Sequence, residues 1–162
     1  DDDQREQVVV RTLGKRFGRR YTPVETYRAE DAELLLLIMG SFSQTAEIAV
    51  DALRNKGKKV GLVRIRLWRP FPFAELRQAV GGAKVLAVFD RCLSYGGSGG
   101  PLCSGIKAAL YDAPARPAVY GFVGGLGGRD VFPDEFERII DRGLSLAAQG
   151  KESTYEMIGV RE

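Results

Sequence analysis

Strand-length apolar runs that alternate with stretches of helical period predict an α/β fold, a three-layer α/β/α sandwich on a mostly parallel sheet of about five strands. Three observations carry this. Four runs, at 34–39, 60–67, 85–89 and 118–123, are each followed within a few residues by an amphipathic helical pattern. The connections are short, so successive strands must be joined by right-handed crossovers with helices on both faces. Two glycine clusters, at 96–100 and 124–128, directly follow the third and fourth runs, on the C-terminal rim where open sheets carry their functional loops.

The segment before residue 34 reads differently. Val9 or Val10, Leu13 and Phe17 fall at helical spacing, Gly18 stands where a helix would close, and Tyr21 to Glu33 reads as an extended connector. Residues 1–33 are therefore expected to be an N-terminal helix and connector from a preceding domain, and 34–162 the α/β domain. The chain opens on three aspartates without methionine, as expected of a piece processed or excised from something longer.

From Leu34 the elements follow in order. Leu34 to Met39 is continuously apolar, the pattern of a strand covered on both faces. Gly40 ends it, Ser41 or Ser43 is expected to cap a helix, and Ala46, Ala49, Val50 and Leu53 form that helix's inner face up to Lys56-Gly57. In Val60 to Leu67, Val63, Ile65 and Leu67 alternate with Arg64 and Arg66, until Arg69-Pro70-Phe71-Pro72 breaks the strand. Phe73, Leu76 and Val80 mark a second helix ended by Gly81-Gly82, and Val85 to Phe89 a third strand. Pro101 suits a first helical turn, with Leu102, Ile106, Ala109 and Leu110 turned inward. Ala118 to Val123 is the fourth strand, and Pro133 opens a last helix with Phe136, Ile139 and Ile140 buried and Gly143 near its end. Thr154 to Val160 is an edge strand or a simple extension.

Composition narrows the function. With 162 residues, 44% of them hydrophobic, the chain can bury roughly 70% of its unfolded surface and needs no disulfide or metal to hold it together. Five of the ten residues from Arg11 to Arg20 are basic, yet the net charge is only +3 and no basic face is interleaved with aromatics, so nucleic acid is not an expected partner. The longest apolar run, Leu34 to Met39, is too short to span a bilayer. Two sparse cysteines and no signal peptide lead to an expectation of a reducing cytoplasm.

The candidate chemistry is limited. Cys92 and Cys103 are the only cysteines and there is no histidine, so neither a Cys/His zinc centre, a four-thiolate cluster nor a histidine-activated nucleophile is available. No catalytic residue and no metal ligand is assigned, and both cysteines are expected to be buried. Neither glycine cluster spells G-x-G-x-x-G: Leu102 and Asp130 stand where the third glycine belongs. Gly100 to Lys107 echoes a phosphate loop, but Ile106 separates Gly105 from Lys107, and alanine follows where a magnesium-binding hydroxyl is needed. Arg91, Gly97, Ser98, Gly99 and Gly100 form at most a weak anion loop at a helix start. Packing of this loop against a neighbouring domain is the preferred reading. Arg69, Asp90, Arg91, Arg129 and Asp130 are candidate interface or loop-bracing residues, with ion pairs expected between Asp90 and Arg91 and between Arg129 and Asp130.

Four co-linear motifs add a resemblance. Glu25-Thr26-Tyr27-Arg28-Ala29-Glu30-Asp31-Ala32-Glu33, Arg64-Ile65-Arg66-Leu67-Trp68-Arg69-Pro70-Phe71-Pro72, Asp90-Arg91 with Gly99-Gly100-Pro101-Leu102, and Gly125-Leu126-Gly127-Gly128-Arg129-Asp130-Val131 resemble the C-terminal domain of the α subunit of pyruvate (2-oxoacid):ferredoxin oxidoreductases. The likeness runs from about Tyr21 to Arg142. It implies the fold of the transketolase C-terminal domain, a preceding thiamine-pyrimidine-binding domain, other subunits, and ferredoxin or flavodoxin as partners of the whole complex. It further implies that thiamine diphosphate, magnesium, iron–sulfur clusters and coenzyme A serve the whole enzyme, which decarboxylates a 2-oxoacid oxidatively to an acyl-CoA. This domain then supplies scaffold and subunit contacts and binds no cofactor itself. A partner-docking module without catalysis, or a small nucleotide or coenzyme A binder using Gly96 to Gly100, are the alternatives. One departure from the family pattern is Phe132, where a capping threonine is more usual and whose loss would cost about 1 kcal/mol.

Overall fold

The apolar run at 34–39 becomes a central strand, β2 (Leu34–Met39), because it is sandwiched between two helical layers. Leu34, Leu36 and Ile38 point into one core while Leu35 and Leu37 point into the other, all at 1% exposure or less. The computed structural model describes residues 12, 14–18, 21–114, 116–152 and 155–160. Among them, β1 (Val24–Tyr27), β2, β3 (Val60–Ile65), β4 (Val85–Asp90), β5 (Ala118–Val123) and β6 (Glu156–Met157) form one sheet in the order β1-β3-β2-β4-β5-β6. β1 runs antiparallel to β3, with Val24 opposite Ile65, and the other pairings are parallel.

Helices α1 (Phe42–Asn55) and α4 (Pro133–Ala148) cover one face, through Ala46, Ala49, Val50, Leu53, Phe136, Ile139 and Ile140. Helices α2 (Phe73–Val80) and α3 (Pro101–Ala109) cover the other, through Leu76, Val80, Leu102, Cys103 and Ile106. The three-layer α/β/α arrangement is therefore the one the sequence predicts. Since α1 carries the chain outward from β2 on one face and α3 carries it outward the other way on the opposite face, those crossovers share a hand. The last connection, β5 to β6, moves in the α3 direction but on the α1 face, and so has the opposite hand. β6 is two residues long and pairs only with Phe122 and Val123, which leaves room for this.

Several expectations need correction. The sheet has six strands among the described residues, because the segment read as a connector supplies β1. Arg64 holds β1 in place: it bonds Glu25 at 3.4 Å and also pairs with Glu47 of α1, while Arg66 reaches Glu25 at 2.5 Å. Neither serine caps α1. Ser41 is already helical, and the Ser43 hydroxyl donates back to the Gly40 carbonyl at 2.7 Å. Helix α4 continues past Gly143 to Ala148, since that glycine faces Leu34 and Ala87 of the sheet. β3 stops at Ile65 and buries both its faces through most of its length. Of the N-terminal helix, Val9, Val10 and Leu13 lie outside the described residues; 14–17 are helical and Gly18 follows at φ 65°.

Candidate functional site

The candidate residues gather at the C-terminal ends of β3, β4 and β5. Asp90, the last residue of β4, is buried at 4% exposure, and its carboxylate accepts the backbone N–H of Leu102 at 2.8 Å and of Cys103 at 3.0 Å. It caps α3 from inside the fold. Gly100 is required beside it, because a Cβ at that position would overlap the Asp90 carboxylate. Burial pushes the Asp90 carboxyl above its ordinary value, and the two N–H donors only partly offset this. The loop between closes on itself, with Ser94 N–H donating to Gly99 O at 2.8 Å and Gly97 N–H to Ser94 O at 3.0 Å. Gly97 and Ser98 are exposed, and Gly99 and Gly100 are buried. The α3 amides that an anion would seek are thus already bonded to the chain's own carboxylate.

Arg91 does not pair with Asp90. Adjacent residues of an extended chain point to opposite sides, and its guanidinium instead lies 4.2 Å from the centroid of the Phe42 ring at the start of α1. Arg129 likewise passes over the Asp130 carboxylate, donating to the Asp130 backbone carbonyl at 3.1 Å and forking onto Glu135 at 3.0 and 3.2 Å. Asp130 is exposed. Glu135 also accepts the Phe132 N–H at 3.1 Å, the half of a capping box that does not need a polar side chain at Phe132, while the Glu135 N–H goes to the Phe132 carbonyl at 3.0 Å. Burial raises the Glu135 carboxyl, but hydrogen bonds from Arg129 and Phe132 with the Arg129 and Arg138 charges bring it below its ordinary value. Arg69 stacks over Trp68 at 4.6 Å and Phe71 at 5.9 Å, and Trp68 in turn covers Gly105 of α3.

Arg69 thus rests on rings within two residues of it, whereas Arg91 and Arg129 reach Phe42 and Glu135, past the carboxylates beside them in sequence. Glu135 was open to discovery, because a glutamate three residues after a helix N-cap is the capping-box position. Trp68 and Phe42 carried no local signal of their contacts. Cys103 is buried, as expected, with burial pushing its thiol up, whereas Cys92 is exposed on the rim because it follows the end of β4. Among the described residues no group of three or more His, Cys, Asp or Glu side chains could hold a metal ion. Two cysteines, one sealed under α3, do not fit an iron–sulfur cluster.

A family model described as pyruvate:ferredoxin oxidoreductase core domain II matches residues 32–136. The chain belongs to that family. Pyruvate synthase subunit PorA of Thermotoga maritima is 38% identical over 154 residues, covering 95% of this chain and 38% of the relative. PorA of Methanothermobacter thermautotrophicus is 42% identical over 152 residues, covering 94% and 37%. Ketoisovalerate oxidoreductase subunit VorA of Pyrococcus horikoshii is 39% identical over 144 residues, covering 88% and 36%. This core domain II thus spans little more than a third of the length of these relatives. Two solved structures share its fold. The 2-oxoglutarate:ferredoxin oxidoreductase from Magnetococcus marinus has a TM-score of 0.56 at 18% identity over 82% of this chain and 21% of its own. A split-gene transketolase has a TM-score of 0.56 at 16% identity over 78% of this chain and 43% of its own. The α/β architecture of this chain is therefore transketolase-like.

Proposed function

We propose that this chain is the scaffold and subunit-contact domain of a 2-oxoacid:ferredoxin oxidoreductase α subunit, in which the whole enzyme oxidatively decarboxylates a pyruvate-type 2-oxoacid to its acyl-CoA. The match of 32–136 to core domain II carries this reading, supported by PorA identity across nearly the whole chain. The contacts at the rim support it: Asp90 and Glu135 cap helices, Arg129 pairs with Glu135, and Arg91 rests on Phe42. In this reading thiamine diphosphate and magnesium supply the carbanion chemistry, and iron–sulfur clusters the electron path to ferredoxin or flavodoxin, all from outside this chain. A preceding thiamine-pyrimidine domain and the other subunits are its partners, and the cytoplasm its compartment. No helix among the described residues is long and apolar enough to cross a membrane.

The test mixes the isolated chain with thiamine diphosphate, magnesium, coenzyme A, a 2-oxoacid and a viologen dye. No dye reduction is expected from it, against reduction by the assembled parent enzyme. Turnover by the chain alone would overturn the assignment.

A further inference from the structure

Of the ten large exposed apolar side chains among the described residues, six gather at one end of the sheet. Met39, Phe73, Leu93, Tyr95, Leu126 and Phe132 all protrude from segments that follow the C-terminal ends of β2, β3, β4 and β5, and Tyr95 is fully exposed. In strand order they form a crest roughly 15 Å wide across four neighbouring strands. At the opposite end of the sheet Tyr111 stands alone among the large exposed apolar residues of the strand connections, and two of those connections, 28–33 and 56–59, are rich in charge. An apolar crest concentrated at one end of a domain marks a contact surface.

Charge sharpens what would cover it. Lys56, Lys58, Lys84 and Arg54, around the opposite end, pair with Glu137, Asp141, Glu33 and Asp31. On the crest, Arg69 and Arg91 rest on aromatic rings, and neither has a carboxylate partner among the described residues. The crest therefore presents apolar area edged by two guanidinium groups, Arg69 and Arg91, with the exposed carboxylates Glu75 and Asp130 farther along it, and the arginine edge suits an apolar surface carrying carboxylates opposite.

The path of the backbone identifies the source. Because β1 is antiparallel to β3, the chain enters the sheet beside Ile65, at the crest, where Pro23 O accepts the N–H of Arg66 and Leu67. Because β6 is parallel to β5, the chain leaves at the crest too, with Ile158 N–H bonded to Val123 O. Whatever continues the polypeptide on either side is tethered next to this surface, at high effective concentration. We infer that the crest is the docking face for the remainder of the chain's own, longer α subunit, through an acidic-edged apolar surface on that remainder. This rests on the reading of the chain as part of a longer subunit, and not on the reaction catalysed.

Cys92, exposed on the crest, and Cys103, buried beneath it, supply the probes. Maleimide labelling is followed peptide by peptide by mass spectrometry in the 162-residue chain, in the full-length subunit alone and in the assembled enzyme. Cys92 should label about tenfold or more slowly in the full-length subunit than in the isolated chain, as expected for a tethered contact. In the full-length subunit, Arg91→Glu with Tyr95→Asp should restore fast labelling, and Ile48→Asp, on the outer face of α1, should not. Rapid Cys103 labelling flags a variant that has unfolded, in which case Arg69→Glu is read in its place. Equal Cys92 rates in the isolated chain and the full-length subunit overturn the proposal. So does slowing that appears only when other subunits are added, or one that grows with concentration of the isolated chain. Dye reduction by the assembled enzyme, measured on the same preparation, reports on the catalytic reading separately.

Discussion

Asp90 and Glu135 both sit buried at helix starts, and their surroundings drive them in opposite directions. Asp90 has only two backbone donors against its burial and is held above its ordinary 3.8, whereas Glu135 has a forked arginine and is held below its ordinary 4.5. For Glu135 the unfolded chain binds the proton more readily, so its stabilisation is present above the ordinary glutamate value and is lost as pH falls through the folded value. Glu135→Gln should therefore cost about 2 kcal/mol near neutral pH. In urea titrations that cost shrinks on acidification below the ordinary glutamate value. For Asp90 the folded state binds the proton more readily, so its contribution is present below the ordinary aspartate value and is lost as pH rises through the folded value. Asp90→Asn should show a stability difference from the parent chain whose pH slope has the opposite sign. A common slope for both variants would refute the burial argument. Gly100→Ala tests the same corner sterically: the added methyl meets the Asp90 carboxylate in a filled interior, and the expected loss is about 2–3 kcal/mol by chemical denaturation.

At the scale of elements, legibility followed coverage. A strand buried on both faces is apolar wherever no polar residue is bonded, which is why the bounds of β2 could be read directly from Leu34 to Met39, whereas β4 runs one residue past its apolar run to the helix-capping Asp90. β1, Val-Glu-Thr-Tyr, lies at the sheet edge and fully buries only Val24, so its four residues give too little period to separate it from a connector. β6 is shorter still. At the rim, the arginines could be picked out but the partner of Arg91 could not, because Phe42 comes from an element distant in sequence. Gly61 shows how packing overrides propensity. It lies inside β3, where a β-branched residue would suit the backbone, yet a Cβ there would come within 2.5 Å of the Arg28 carbonyl as the chain leaves β1. Gly61→Ala should thus destabilise by about 2–3 kcal/mol despite the better strand former, with amide exchange rising first in β1. An unchanged midpoint would mean that the β1 turn yields without cost.

Over the whole molecule, the sheet joins two cores that touch different helices, and β1 contributes to both. Val24 and Ala32 belong to the cluster under α2 and α3, while Tyr27 packs against the other from the sheet edge and bonds Asp51 of α1 at 2.9 Å. A chain that begins at residue 34 would keep every central strand yet strip the edge of β3, exposing its unpaired backbone groups and the apolar surface beneath Val24. One that begins at residue 21 keeps both. The shorter form should lose about 3 kcal/mol, chiefly from the buried valine. It should also self-associate through β3, visible as concentration-dependent elution in size-exclusion chromatography, while the longer form unfolds in urea at the midpoint of the full chain. If both forms matched the full chain in midpoint and elution, β1 would be an appendage of whatever precedes it. The opposite outcome makes residues 21–33 part of the α/β domain.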